Sequence, residues 1–237
     1  MKRNLIVAAV AGVAVLALIG GGGYIYFFSG LRTSPDTLAL SSAPATAPTS
    51  TSTTGLAGTW NIAAGSLVGY RVQELFAGES SKHLAVARTS SVTGSLKVSG
   101  DTSGYTVSGI TLTANLTSLH SVDQVAGRNV SQRDGIVTRQ LAVQQFPDAT
   151  FAATSASVPG TVTSAQVDVT ASGRLTIHGV TRDVSITAKA QVVGDKLEIA
   201  GTLTINMTDY GVSPPQAPFV TVDPTATIEF DLFLTRA

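Results

Sequence analysis

The chain has 237 residues, 15 basic and 15 acidic side chains, and no cysteine. A length of this order suits one or two domains, a single large all-β domain included, while the lack of cysteine excludes a disulfide framework, cysteine zinc sites, thiol catalysis and a lipidated N-terminal cysteine. Charged residues make up only 13%, with no basic excess to neutralise phosphates, so nucleic acid is not an expected partner.

After Lys2 and Arg3, residues 5–28 (LIVAAVAGVAVLALIGGGGYIYFF) carry no charge. As a helix they span about 36 Å at roughly 1.5 Å per residue, enough for a hydrocarbon core of about 30 Å. Lys2 and Arg3 favour a cytoplasmic side for residues 1–4, which places everything downstream outside the membrane. Tyr24 and Tyr26 then fall near the outer interface. A second reading takes residues 5–19 as the apolar region of a signal peptide, with Gly21 and Gly23 as a small-x-small cleavage site. Cleavage there would leave Tyr-Ile-Tyr-Phe-Phe at a new, exposed terminus. The first reading predicts a single-pass protein of the cell membrane with an extracytoplasmic domain; the second predicts a secreted one. Both export the rest of the chain.

Residues 29–58 (SGLRTSPDTLALSSAPATAPTSTSTTGLAG) are rich in Ser, Thr, Pro and Ala. Such a composition offers too little apolar surface to offset the entropy of ordering, and it reads as a disordered stalk. The folded domain is expected over residues 59–237.

That domain is dominated by period-two alternation, the pattern of strands with one face buried. The first segment, 66–74, places Val68, Tyr70 and Val72 on one face, and the second covers 84–98. In the third, 105–116, the phase slips near Ser108-Gly109, so that Tyr105 and Val107 give way to Ile110, Leu112 and Leu116. A one-residue slip at a glycine predicts a β-bulge. Residues 131–145 (SQRDGIVTRQLAVQQ) lack this alternation, put Val137 and Leu141 on one helical face and stop before Pro147, which predicts one short helix. Strands follow at 149–158, 166–177, 180–193, 197–207 and 225–234. His178-Gly179 and Gly194-Asp195 fit two-residue hairpin turns. The last strand sets Ile228, Phe230, Leu232 and Leu234 against Glu229 and Asp231, which read as solvated charges of an outer face. Eight mainly antiparallel strands either close into a barrel or split into a two-sheet sandwich. The inward residues are mostly Val, Ile, Leu, Ala and Thr, which leans toward a barrel with space for one small ligand, although a packed core could share that composition.

No nucleophile elbow, Walker motif, dinucleotide fingerprint or H-E-x-x-H stands in the sequence. His83, His120 and His178 have no metal-ligand spacing, and no pair of carboxylates is set for acid–base work. Asn115, Asn129 and Asn206 head glycosylation sequons of a kind that arises readily in a Thr-rich chain. The densest polar cluster, residues 128–135 (RNVSQRDG), precedes and opens the helix. Either Ser131 or Asp134 caps the helix and the arginines are solvated, or Arg128 and Arg133 line a barrel mouth and meet the anionic head of a ligand.

The run GRLTIHGVTRDVSITA, residues 173–188, resembles the signature hairpin of the bacterial YceI-like family. Gly173, Leu175, Thr176, Ile177, His178, Gly179, Val180, Thr181 and Val184 stand in matching positions. Trp60-Asn61-Ile62 with residues 66–72 is similar to that family's first strand. Arg133-Asp134 with residues 146–151 is similar to its helix and the strand after it, and residues 208–212 to its late loop. The resemblance covers 59–237. The chain departs at Ala63-Ala64, where Asp-Pro is usual, at Ala142-Val143, where paired phenylalanines are usual, and along 76–89. These departures bear on mouth shape and ligand identity rather than on fold.

The resemblance implies an eight-stranded, antiparallel, lipocalin-like barrel whose elongated apolar lumen holds an isoprenoid-type lipid, in a secreted or periplasmic protein that is not chiefly an enzyme. By alternation, the residues expected to face that lumen are Val68, Tyr70, Val72, Ile110, Leu112, Leu203, Ile205, Ile228 and Phe230, with Arg133 at the mouth. No catalytic residue, metal or cofactor is expected, and the partners are an apolar lipid and the membrane reached by the N-terminal helix. Two alternatives stay open. One is a ligand-free structural or protein-interaction domain of the cell envelope with a filled barrel. The other is a hydrolase or metal enzyme, which requires the three histidines to converge.

Overall fold

In the computed structural model, residues 32–42, 55–101, 104–125, 127–158 and 166–237 are described. The expected anchor, 5–28, lies outside them. Among the described residues no helix is long and apolar enough to cross a membrane.

The alternating segments become eight walls of one barrel. The first wall is bent in two, β2 (Gly58–Ile62) and β3 (Leu67–Phe76), and so is the second, β4 (His83–Thr89) and β5 (Val92–Asp101). β6 (Gly104–Asn115), β9 (Asp148–Ser157), β10 (Gln166–Ile177), β11 (Val180–Val193), β12 (Lys196–Asn206) and β14 (Val220–Arg236) supply the rest. Each wall pairs antiparallel with the next in sequence. β14 then closes the ring against both halves of the first wall. Among the described strands closure leaves no long free edge, the usual liability of an open sheet.

The expected bulge is present. Ser95 faces Thr111 and Lys97 faces Ser108, so Leu96 alone stands opposite Gly109 and Ile110. Gly109 takes φ +59°, a conformation that glycine adopts without steric cost. The step turns Ile110 and Leu112 inward. At the tip of β10–β11, Ile177 pairs with Val180 and leaves His178 (φ 53°) and Gly179 (φ 73°) as a two-residue turn. Two successive left-handed residues match the twist of the flanking strands.

The connection from β6 to β9 carries β7 (His120–Ser121), β8 (Gln124–Val125) and the helix α1, Ser131–Gln140, shorter than the expected 131–145. Neither Ser131 nor Asp134 caps it. The cap residue is Val130, without a side-chain bond. Asp134 instead accepts from the Ser121 N–H (2.9 Å) and hydroxyl (2.6 Å), and Asn129 accepts from the Ser131 N–H (3.1 Å). α1, β8, the His178 turn and the short β13 (Gln216–Ala217) lie at one end of the barrel, called here the helix end; the Gly194 turn lies at the far end.

The segment expected to be a stalk departs most from the reading of the sequence. Its residues 32–42 lie against the outer wall from the helix end toward the far end. β1 (Arg32–Thr33) pairs with β8. Ser34 donates to Leu84 O (2.5 Å), Pro35 O accepts from Arg71 Nη2 (2.6 Å) and Asp36 O from Arg88 Nη2 (2.5 Å). The Leu38 N–H donates to Glu229 Oε2 (3.1 Å) and the Ser41 N–H to Glu198 Oε1 (2.6 Å). Residues 43–54 are outside the described set. Composition argues from apolar burial alone, whereas this strap is held by its main chain, which bonds to charged side chains projecting from the barrel wall.

The strap also corrects the expectation for Glu229 and Asp231. Both point outward, yet Glu229 and the neighbouring Glu198 are 0% exposed. Glu229 receives Arg71 Nη1 at 3.1 Å and Arg88 Nε at 2.8 Å. Gly69 leaves room for this arrangement, since a Cβ there would stand 2.8 Å from Arg88 Cγ. Asp231 Oδ1 is buried with no hydrogen-bond partner among the described residues. Burial, and secondarily the Glu198 carboxylate, pushes the Asp231 carboxyl up to about 6.

Candidate functional site

Inside the barrel, neighbouring strands set side chains in rows. Tyr70, Ile228 and Leu203 form one row across β3, β14 and β12; Val72, Ala226 and Ile205 form the next toward the helix end. On the other side Val68 faces Phe230, which lies over Gly201; a Cβ on Gly201 would meet the Phe230 ring at 2.9 Å. Leu112 and Ile110 oppose Phe151 and Ala153 across the barrel wall.

These rows do not meet in the middle. They surround a larger chamber of about 520 Å³ toward the far end and a smaller one of about 170 Å³ beneath α1. The chambers share Val68, Ala114, Ala149, Ile177 and Ile228, which makes them two parts of one elongated lumen. The larger volume lies in the range typical of small-molecule sites. All nine residues expected to face the lumen line one chamber or the other. Val68, Ile110, Leu112, Leu203, Ile228 and Phe230 line the larger; Tyr70, Val72 and Ile205, with Val68 and Ile228 again, line the smaller.

Several inward side chains are less buried than two outward carboxylates. Ile110, Leu112, Leu203, Ile205 and Ile228 point inward yet are only partly buried. Outward-facing Glu229 and Glu198 are wholly buried under the strap. Side chains that face inward and still present free surface enclose space rather than one another.

The polar inventory of the lumen is short. Among the described residues the larger chamber is lined by no charged residue; Gln191 borders it, but its side-chain amide is turned to the outer wall, donating to Glu198 Oε2 (2.6 Å) and Ser41 O (3.0 Å). Val192, 50% exposed, stands on the rim at the far end. In the smaller chamber the charged pair Glu74 and Arg133 lies at the wall, 2.6 Å apart.

Arg133 is placed at the lumen as expected, but it is not a free cation awaiting a ligand head. Its Nη2 donates to Glu74 Oε1, and Nη1 and Nη2 donate to Asp123 at 2.7 and 3.1 Å. Nη1 also lies 3.2 Å from Ser121 Oγ. Burial alone would raise the Asp123 carboxyl, but hydrogen bonds from His83, Arg133 and the Val86 N–H outweigh it and hold the group well below the usual carboxylate range. Burial works against the Arg133 cation too, and its bond to Asp123 and the charge of Glu74 more than offset that, raising its affinity for the proton. Burial likewise pushes the Tyr70 phenol up, keeping it neutral. Arg128 lines neither chamber; its guanidinium stacks 3.9 Å over the Phe76 ring.

The histidines do not converge. His83 Nε2 donates to Asp123 Oδ2 (2.7 Å), His120 Nδ1 lies 3.0 Å from Ser118 O, and His178 Nδ1 lies 3.2 Å from Tyr210 O. Phe146 meets the His178 ring edge-on at 5.4 Å. Among the described residues no group of three or more His, Asp or Glu is placed to hold a metal.

Sequence reasoning missed part of the lining. Val167, Val169, Ala171 and Leu175 of β10, with Ile186, Ala188 and Ala190 of β11, also face the larger chamber. Their alternation carried the signal. The Glu74–Arg133–Asp123–His83 network had none, because its members are separated by up to 59 residues.

The sequence profile of the YceI-like domain matches residues 60–234. The chain belongs to the YceI-like domain family. It is 36% identical over 95 residues to a UPF0312 protein of Pseudomonas putida strain F1, a match covering 38% of this chain and 47% of that protein. A UPF0312 protein of Pseudomonas syringae pv. tomato is 33% identical over 109 residues, covering 43% and 54% respectively. The chain thus spans about half the length of the curated relatives it matches. Among solved structures, a polyisoprenoid binding domain from Saccharophagus degradans, described as implicated in plant cell wall breakdown, superposes with a TM-score of 0.51. That likeness, at 16% identity over 76% of this chain and 99% of the other, is one of fold.

Proposed function

We propose that this YceI-like chain is a membrane-tethered, extracytoplasmic binding protein that holds a long apolar lipid, isoprenoid in type, within the barrel lumen. The observation that carries the reading is the lumen itself: two joined chambers of about 520 and 170 Å³, walled mainly by aliphatic side chains, several of them only partly buried. Their alignment along the barrel suits a linear tail better than a compact ligand. Burying a few hundred Å² of such a tail at about 25 cal/mol per Å² contributes several kcal/mol before association costs. The neutralised Arg133 leaves the tail, rather than a charged head, to supply the affinity. The name of the Saccharophagus protein supports the isoprenoid class, and the uncharged run 5–28 supports the tether.

The test is to extract the full chain from membranes under mild conditions and examine it by native mass spectrometry. A co-purifying lipid with the mass increments of isoprene units is expected. A protein that stays empty and takes up no added polyprenol refutes the reading.

A further inference from the structure

The strap decides which end of the barrel can approach the tether. Arg32 and Thr33 are strand-paired to Val125 and Gln124 at the helix end. From there the strap leads away from that end, fixed at Ser34, Pro35, Asp36, Leu38 and Ser41 to four different walls. Arg32 therefore cannot swing free of the barrel. Only residues 29–31 separate it from the uncharged run that ends at Phe28. Four Cα steps reach at most about 14 Å, at roughly 3.6 Å each. The far end is a barrel length removed: a twelve-residue strand such as β10 rises about 40 Å, or roughly 30 Å along the axis after tilt.

The helix end also carries a side chain suited to an interface. Phe219 stands at the tip of the β13–β14 hairpin, where Ala217 pairs with Val220. The residue is 55% exposed, while its carbonyl is held by the Ala77 N–H at 3.0 Å. The charges around it are balanced: Lys82 pairs with Asp223 and Arg128 with Glu79. Val192, the other large exposed apolar residue among the described ones, belongs to the lumen rim at the opposite end.

We propose that the helix end is a bilayer-docking surface, set against the membrane by the clamped strap and seated in the headgroup region by Phe219. The partner is a lipid surface, and because the local charges cancel, a zwitterionic one suffices. The proposal rests on the reading of residues 5–28 as an uncleaved anchor. It gives that tether a direction: the smaller chamber beneath α1 faces the bilayer and the larger one faces away.

The absence of native cysteine makes the test clean. Full-length F219C and D195C, the second at the far-end turn, are each labelled with an environment-sensitive fluorophore and reconstituted into phosphatidylcholine vesicles with or without spin-labelled lipid. Both variants are expected to float with the vesicles, and the label at 219 to be quenched several-fold more strongly than the label at 195. A chain that floats with equal quenching, or stronger quenching at 195, overturns the docking proposal and leaves the anchor standing. A chain that does not float overturns the anchor reading and the proposal with it.

Discussion

Glu229→Leu tests the buried charge cluster that holds the strap to the wall. Glu229 is wholly buried and accepts from Arg71, Arg88 and the Leu38 N–H. Its guanidinium partners are themselves only 9% and 14% exposed at the side chain. Three charge-assisted bonds at about 1.5–3 kcal/mol each set the ceiling near ~9 kcal/mol. Removing one member of a buried ion pair costs about 3–5 kcal/mol, because the remaining charge is left in a poorly solvated place. For a domain of this size each kcal/mol moves the melting temperature by about 2–4 °C, so a fall of roughly 6–20 °C is expected. The Leu38 amide should also lose protection from hydrogen exchange, along with the strap around it. Thermal unfolding followed by circular dichroism, with exchange resolved by mass spectrometry, reads both. A midpoint within about 2 °C of the parent, or a strap still protected, would refute the view that Glu229 holds it.

Three further outcomes are expected. Leu112→Trp fills space in the larger chamber, so it should reduce lipid uptake with little loss of stability; a marked loss of stability with the lumen already empty would indicate a packed core. Asp231 has a folded pKa of about 6 against an ordinary 3.8, so its protonated form stabilises the fold fully below about pH 4, and that contribution is lost as pH rises through about 6. Asp231→Asn should therefore raise the melting temperature at pH 7 but not at pH 4, and melts at both pH values check it. Asp123, held low, acts oppositely and only in stronger acid: the stability it contributes is lost as pH falls below about 4. Gly179→Ala forces a side chain onto φ +73° and a Cβ within 2.5 Å of the Phe146 ring; a loss of about 1–3 kcal/mol in denaturant titration is expected.

The barrel was legible because its information is local. Period-two alternation names a face, a glycine at a phase slip names a bulge, and His178-Gly179 names a turn. Each depends on residues within a few positions of one another. The inward faces followed as well, since alternation assigns them; that they enclose open space did not, because a packed core could share their composition. The strap was not legible, for its order comes from main-chain groups finding Glu229 and Glu198, up to 191 residues away. The fate of Arg133 was hidden for the same reason: nothing near it in sequence announces Glu74. Charged residues on an outward face normally mean solvent, and here a short neighbouring segment reversed that.

The seam of the barrel joins its first strand to its last. Ile62 pairs with Leu234 and Trp60 with Arg236, and the Ala237 N–H reaches back to Thr59 O at 2.9 Å. Hairpins such as β10–β11 can form early, but this seam must close the longest loop in the domain before it gains anything. Until β14 arrives, β12 and the first wall present open edges that can pair with a second chain. Refolding is therefore expected on the slow scale of non-local β topologies, milliseconds to seconds, with β14 governing both the rate of barrel closure and the exposure to aggregation along the way.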